Sequence, residues 1–185
     1  MSKFKLLFAL SGLAAFAAAS AANAEFLLTS KSMSDGGPLP ASAVFEGFGC
    51  TGGNKSPDLA WSGAPQGTKS FALTVHDPDA PTGSGWWHWT LFDLPAATSG
   101  LPENASAAGQ LPEGAREGPT DYGRNGFGGA CPPKGDKAHS YVFTLYALPV
   151  ESIGLDKTAP AAMISYFARA QAIGSASLTA HYGRD

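Results

Sequence analysis

Four side chains able to move protons or hold charge fall in two Gly/Pro-rich stretches. Asp77, Asp79 and His88 belong to His76-Asp77-Pro78-Asp79-Ala80-Pro81 and the nearby Trp86-Trp87-His88-Trp89. His139 follows Gly128-Gly129-Ala130-Cys131-Pro132-Pro133-Lys134-Gly135 and runs into Ser140-Tyr141. Two carboxylates and two imidazoles admit three chemistries. A two-His-one-carboxylate set could hold a metal ion, but no His-Glu-x-x-His helix or cysteine cluster accompanies it. Asp77 with His88 could serve general acid–base hydrolysis. A serine nucleophile is unsupported, since there is no Gly-x-Ser-x-Gly turn and Ser84 sits in a Gly-Ser-Gly turn with no assigned base. Anion binding fits best, because it uses amides of a Gly-rich loop (Gly128, Gly129, Cys131), an imidazolium for charge and a carboxylate that orients the imidazole. Trp86, Phe127 and Tyr141 would supply apolar walls, stiffened by Pro132 and Pro133. No metal and no cofactor is expected.

Taken singly, each residue has a plainer explanation: a histidine among tryptophans packs, and an Asp before Pro forms a turn. Their concentration at two strand-end loops is what favours a site. Ser70–His76 alternates, with Phe71, Leu73 and Val75 on one face and Ala72, Thr74 and His76 on the other. Pro78 and Pro81 cannot donate to a ladder, so pairing ends there and leaves Asp77 and Asp79 at the strand exit. Across Trp86–Phe92 the period of two puts Trp87, Trp89 and Leu91 on one face and Trp86, His88, Thr90 and Phe92 on the other. Ser140–Leu148 is a further strand, with His139 in phase with Tyr141, Phe143 and Leu145. Shorter strands are expected at Glu25–Thr29, Val44–Phe48 and Ala176–Tyr182. Helical spacing of Ile164, Phe167, Ala168 and Gln171 predicts a helix over Pro160–Ile173 that Gly174 can stop. Leu94–Gly129 shows no pattern, and a loop this long is usually functional or poorly ordered.

The N-terminus sets the compartment. Lys3 and Lys5, an apolar run from Leu6 to about Ala19, and Ala22-Asn23-Ala24 form a secretory signal peptide over 1–24. A membrane anchor would need about 18 to 20 apolar residues and no small-residue exit, so the mature chain is expected not to span a membrane. Loss of two lysines from the 12 basic residues leaves 10 against 15 acidic ones, a formal charge of −5, with no basic patch for nucleic acid. Residues 25–185 suffice for one domain, and 23 Gly with 14 Pro favour turns over long helices. Cys50 and Cys131, alone in an oxidising space, are expected to pair. Structural zinc would need close ligand pairs that these two lack.

Asp77-Pro78-Asp79-Ala80-Pro81, Trp87-His88-Trp89 and Cys131-Pro132-Pro133-Lys134-Gly135 followed by His139-Ser140-Tyr141 resemble the signatures of the phosphatidylethanolamine-binding protein family. The bacterial Raf-kinase-inhibitor-like branch is most similar, and Gly49-Cys50-Thr51-Gly52-Gly53-Asn54-Lys55-Ser56-Pro57 resembles its early loop. The likeness runs from about Ala43 to Gly183. It implies a mainly β fold, an antiparallel β-sandwich with a C-terminal helix and long Gly/Pro loops. It also implies a pocket for phosphate, acetate or phosphoryl head groups without established catalysis. Carried over by motif, the pocket residues are Asp77, Asp79, Pro81, His88, Gly129, Pro132, His139 and Tyr141, and the Ala80–Pro81 bond is expected to be cis. Ala130, where Pro is common, and Gly118-Pro119-Thr120 depart from the pattern. The expectation is a periplasmic or secreted binding protein for a small anionic or phosphorylated ligand, with a protein partner such as a kinase or protease. A weak phosphate-ester hydrolase using Asp77 and His88, and a protein-interaction module indifferent to the pocket, are the alternatives.

Overall fold

The computed structural model describes residues 24–185, so the expected signal peptide, apart from Ala24, lies outside the described residues. The strands are β1 (Leu27–Thr29), β2 (Gly37–Pro38), β3 (Glu46–Gly47), β4 (Cys50–Thr51), β5 (Leu59–Ser62), β6 (Ser70–Asp77), β7 (Trp86–Pro95), β8 (Gly100–Leu101), β9 (Arg116–Glu117) and β10 (His139–Leu148). Helix α1 (Ala161–Gln171) and β11 (Gly174–Tyr182) complete the chain. The three alternating runs read from sequence pair side by side in a six-stranded sheet of order β2-β11-β10-β6-β7-β9. Its ladders are antiparallel except that of the two-residue β2 on β11, which is parallel. A second sheet, β1-β5-β8, faces it, and β3 with β4 forms a hairpin.

One face of the large sheet is covered throughout and the other in part, since β10 and β11 alternate buried with half-exposed or exposed residues. Phe71, Leu73, Val75, Trp89, Leu91, Phe143 and Leu145 meet Leu28, Leu59 and Trp61 of the small sheet in the main core. On the opposite face Ala72, Phe92 and Leu148 pack beneath Ile164 and Ala168 of α1. β6 accordingly has no exposed face, and the small Ala72 lets the helix approach. Phe167, expected in the buried stripe, is 36% exposed and packs edge-on against Tyr166 instead. The helix stops at Gln171, and Gly174 opens β11 rather than capping the helix.

One irregularity in the large sheet governs the site. Val75 pairs with Trp89, but the next residue, His76, pairs with Trp87, so His88 is an extra residue, a β-bulge. A bulge re-aims side chains. Trp87 turns outward to pack at a tilt against His76, with ring centroids 4.2 Å apart. His88 turns inward beside Trp89 and meets Tyr141, ring centroids 5.0 Å apart. Simple alternation had placed Trp87 with Trp89 and His88 with Phe92; the bulge reverses both assignments.

The long segment after β7 is ordered by that strand's free edge. Gly118 N–H donates to Thr90 O (3.0 Å), Asp121 N–H to Trp87 O (3.1 Å) and Gly128 N–H to His88 O (2.8 Å). Unpaired strand edges are normally covered in this way, and here the cover carries Tyr122 and the Gly128-Gly129 turn to His88. The expected Val44–Phe48 strand shrinks to Glu46–Gly47, while Val44 forms a parallel bridge with Ala130.

Candidate functional site

At one end of the large sheet, Asp77 ends β6, His88 begins the bulge in β7, and His139 and Tyr141 start β10. All four line one cavity of about 210 Å³, together with Pro81, Trp86, Tyr122 and Pro132. Phe48, Ala80, Thr82, Cys131 and Pro133 complete the wall. The volume is below the roughly 300–1,000 Å³ of drug-sized ligand sites and suits a small head group.

Asp77 is the structural pivot of this wall. Its Oδ1 accepts the amides of Asp79 (2.9 Å) and Ala80 (3.1 Å), shaping the Asp-Pro turn, and its Oδ2 accepts His139 Nδ1–H at 2.7 Å. Both partners of that hydrogen bond are buried. His139 Nε2 lies 3.5 Å from Asp136 Oδ2, so carboxylates face both ring nitrogens. The Ala80–Pro81 bond is trans, against the expectation of cis. Asp77 accepts two amides of this turn, and Ala80 O accepts Thr82 N–H at 2.8 Å.

Asp79 stands outside the cavity wall. It accepts Ser140 N–H (2.8 Å) and pairs with Lys137 (3.2 Å), tying the turn to the start of β10. The Ser140 amide, chiefly, and Lys137 hold its carboxyl down at about 2. Gly129 is also outside the wall. Its N–H donates to Asn54 Oδ1 (2.8 Å) and its carbonyl accepts Tyr122 Oη–H (2.8 Å). A Cβ there would stand 2.4 Å from Ala43 O, so glycine serves close backbone approach beside the Val44–Ala130 bridge. The amides of Gly128 and Gly129, expected to receive an anion, are thus consumed inside the fold. Phe127, expected as a wall, lies in the main core against Trp89.

His88 also departs from expectation. It is 3% exposed, and its Nδ1 faces the Gly128 carbonyl at 2.8 Å. A carbonyl only accepts, so Nδ1 carries the proton and Nε2 presents its lone pair. Desolvation, partly offset by the Gly128 carbonyl and Asp77, pushes the imidazole down to about 4. At neutral pH His88 is therefore uncharged, not the imidazolium that the sequence suggested. Burial, with Asp77 beside it, pushes the Tyr141 phenol far above its usual value and keeps it a donor. His88 Nε2, Tyr141 Oη and Trp86 Nε1 are all buried without a hydrogen-bond partner.

Asp77 pairs with His139 and not with His88, which removes the acid–base pair assigned to hydrolysis. No Ser, Thr or Cys side chain is hydrogen-bonded to either imidazole among the described residues. Nor does any group of three or more His, Cys, Asp or Glu side chains there have the arrangement to hold a metal ion. Tyr122 lies in the stretch that shows no pattern in sequence, yet its ring stacks on Phe45 (4.1 Å) and lies edge-on to Trp86 (5.3 Å) and His88 (5.7 Å). Cys50 and Cys131 are joined in a disulfide, as expected, which ties the β3–β4 hairpin to the Pro132 wall.

Residues 29–183 match the family described as phosphatidylethanolamine-binding protein. The chain belongs to this family. Among its relatives is the UPF0098 protein YbcL of Escherichia coli K12, 52% identical over 170 residues that cover 91% of this chain and 93% of that protein. The YbcL crystal structure, described as a new member of the mammalian PEBP family, superposes with a TM-score of 0.85 over 88% of this chain and 100% of that one. A PEBP homologue from Chlamydia trachomatis, CT736, is 32% identical with a TM-score of 0.74, covering 89% of this chain and 100% of its own. A Mycobacterium tuberculosis relative named as a lipoprotein, LppC, is 42% identical over 123 residues, 66% of this chain and 55% of that protein. Membership in the phosphatidylethanolamine-binding protein family accounts for the mainly β fold with its single described helix.

Proposed function

We propose that this chain is an exported binding protein whose cavity takes a small anionic or phosphorylated head group. The observation that carries the proposal is the set of three unpartnered buried polar atoms, His88 Nε2, Tyr141 Oη and Trp86 Nε1, on residues of one cavity wall. Buried polar groups are rarely left unpaired without reason, and a tetrahedral oxyanion offers acceptors to all three. Tyr141 and Trp86 donate directly. His88 becomes a donor once Nε2 takes a proton, which the ligand brings as P–OH or the imidazole acquires on binding. Export is supported by the disulfide, by the N-terminal sequence and by the relative named as a lipoprotein.

Isothermal calorimetry with inorganic phosphate tests the site. Wild type is expected to bind, and Tyr141→Phe and His88→Leu are each expected to weaken binding about tenfold or more, since each removes a hydrogen bond to a charged group. Equal affinity in wild type and in both folded variants would contradict the proposal.

A further inference from the structure

The tip of the β3–β4 hairpin is a two-residue turn, Phe48-Gly49, and both residues have positive φ, 52° and 77°. Turns of this kind favour Asn-Gly, because a bulky side chain in the left-handed region is disfavoured. Phe48 is in addition 73% exposed, which burial does not reward. Nothing in hairpin formation calls for phenylalanine here, and burial does not offset the cost of its backbone conformation. Its place supplies a reason: the ring is part of the cavity wall, beside Pro132 and Pro133.

The backbone beneath the ring is held firmly. Cys50, next to the turn, is bonded to Cys131, which also lines the cavity. Arg184 Nε donates to Pro132 O (2.6 Å), and its Nη2 reaches Phe48 O (3.5 Å). The ring touches Phe45 (5.5 Å) and Tyr122 (5.8 Å) at a tilt, and most of it stays open to solvent. A fixed base under an exposed aromatic ring at a cavity mouth is how an aromatic recognition contact is pre-organised.

We infer that Phe48 is a specificity-determining residue that receives an apolar substituent attached to the head group, so that the ligands are aryl or alkyl phosphomonoesters. This rests on the head-group reading of the cavity and adds the part of the ligand that protrudes from it. Inorganic phosphate, phenyl phosphate and n-butyl phosphate are the probes, titrated against wild type, Phe48→Asn, which suits the turn, and Phe48→Trp, which keeps an aromatic ring. In wild type at least one ester should bind about tenfold tighter than inorganic phosphate. The ester-to-phosphate ratio should fall to about one to two in Phe48→Asn and persist in Phe48→Trp, while Phe48→Asn melts no lower than wild type. A larger gain with phenyl phosphate assigns the substituent as aryl, and a larger gain with butyl phosphate as alkyl. If inorganic phosphate binds and neither ester gains, or if the gain survives in Phe48→Asn, the inference about Phe48 is overturned and the head-group reading stands. If none of the three probes binds wild type, both fall together.

Discussion

Replacing Cys50 and Cys131 together by serine is expected to destabilise the domain by about 4 to 5 kcal/mol, the chain-entropy value for a cross-link of this span. The two cysteines are 81 positions apart and their disulfide encloses β5, β6, β7 and the long segment after β7, so its loss frees much of the unfolded chain. For a domain of this size the melting temperature should fall by roughly 10–15 °C. Anion affinity should fall as well, because Cys131 is in the cavity wall and Cys50 anchors the hairpin that bears Phe48. Thiol counting on denatured, unreduced protein checks the bond itself, and two free thiols would refute it. A double variant that melts with wild type would show the cross-link to be energetically idle.

Asp77→Ala is expected to cost about 3 kcal/mol or more, because it leaves three buried or half-buried donors unpaired at roughly 1–3 kcal/mol each. The carboxylate accepts three hydrogen bonds, and its loss strands the amides of Asp79 and Ala80 and the Nδ1–H of His139, itself 2% exposed. Asp77→Asn should cost less. Its oxygen can still accept the two amides, and His139 must only exchange tautomers to accept from the new NH₂ group. Urea denaturation orders the three proteins as wild type, Asp77→Asn, Asp77→Ala. An alanine variant within 1 kcal/mol of wild type would mean that the turn is held by other contacts.

The parts of the fold legible in sequence were those that depend on one strand at a time. Alternation placed β6, β7 and β10 within a few residues, and His139 in phase with Tyr141 is borne out by burial of both. The facing of His88 was not legible, because a bulge is a property of the pairing between β6 and β7 and leaves no mark on the alternation of β7 alone. The amides of Gly128 and Gly129 looked available because glycine signals exposed backbone, but their partners, His88 O and the Asn54 side chain, come from other strands and loops. Phe48 escaped notice because its turn lacks the Asn-Gly signature. The charge state of His88 depends on complete burial, which no local pattern records.

Proton uptake at His88 is the most direct consequence of an anion bound in this cavity. Sulfate carries the same charge across mildly acidic to neutral pH and brings no proton of its own, so the protein must supply the donor. In the free protein His88 titrates at about 4, below the usual 6.5. A bound dianion favours the charged imidazole and raises that value. Between the two pKa values binding takes up a proton, and affinity falls by up to tenfold for each pH unit upward. Calorimetry with sulfate from pH 5 to 7.5, in buffers of different ionisation heat, should show tighter binding at the acidic end with close to one proton taken up near pH 5.5, and no uptake in His88→Gln. Equal affinity across that range, with no proton uptake and no difference between wild type and His88→Gln, would contradict the assignment of this cavity as an anion site built around His88.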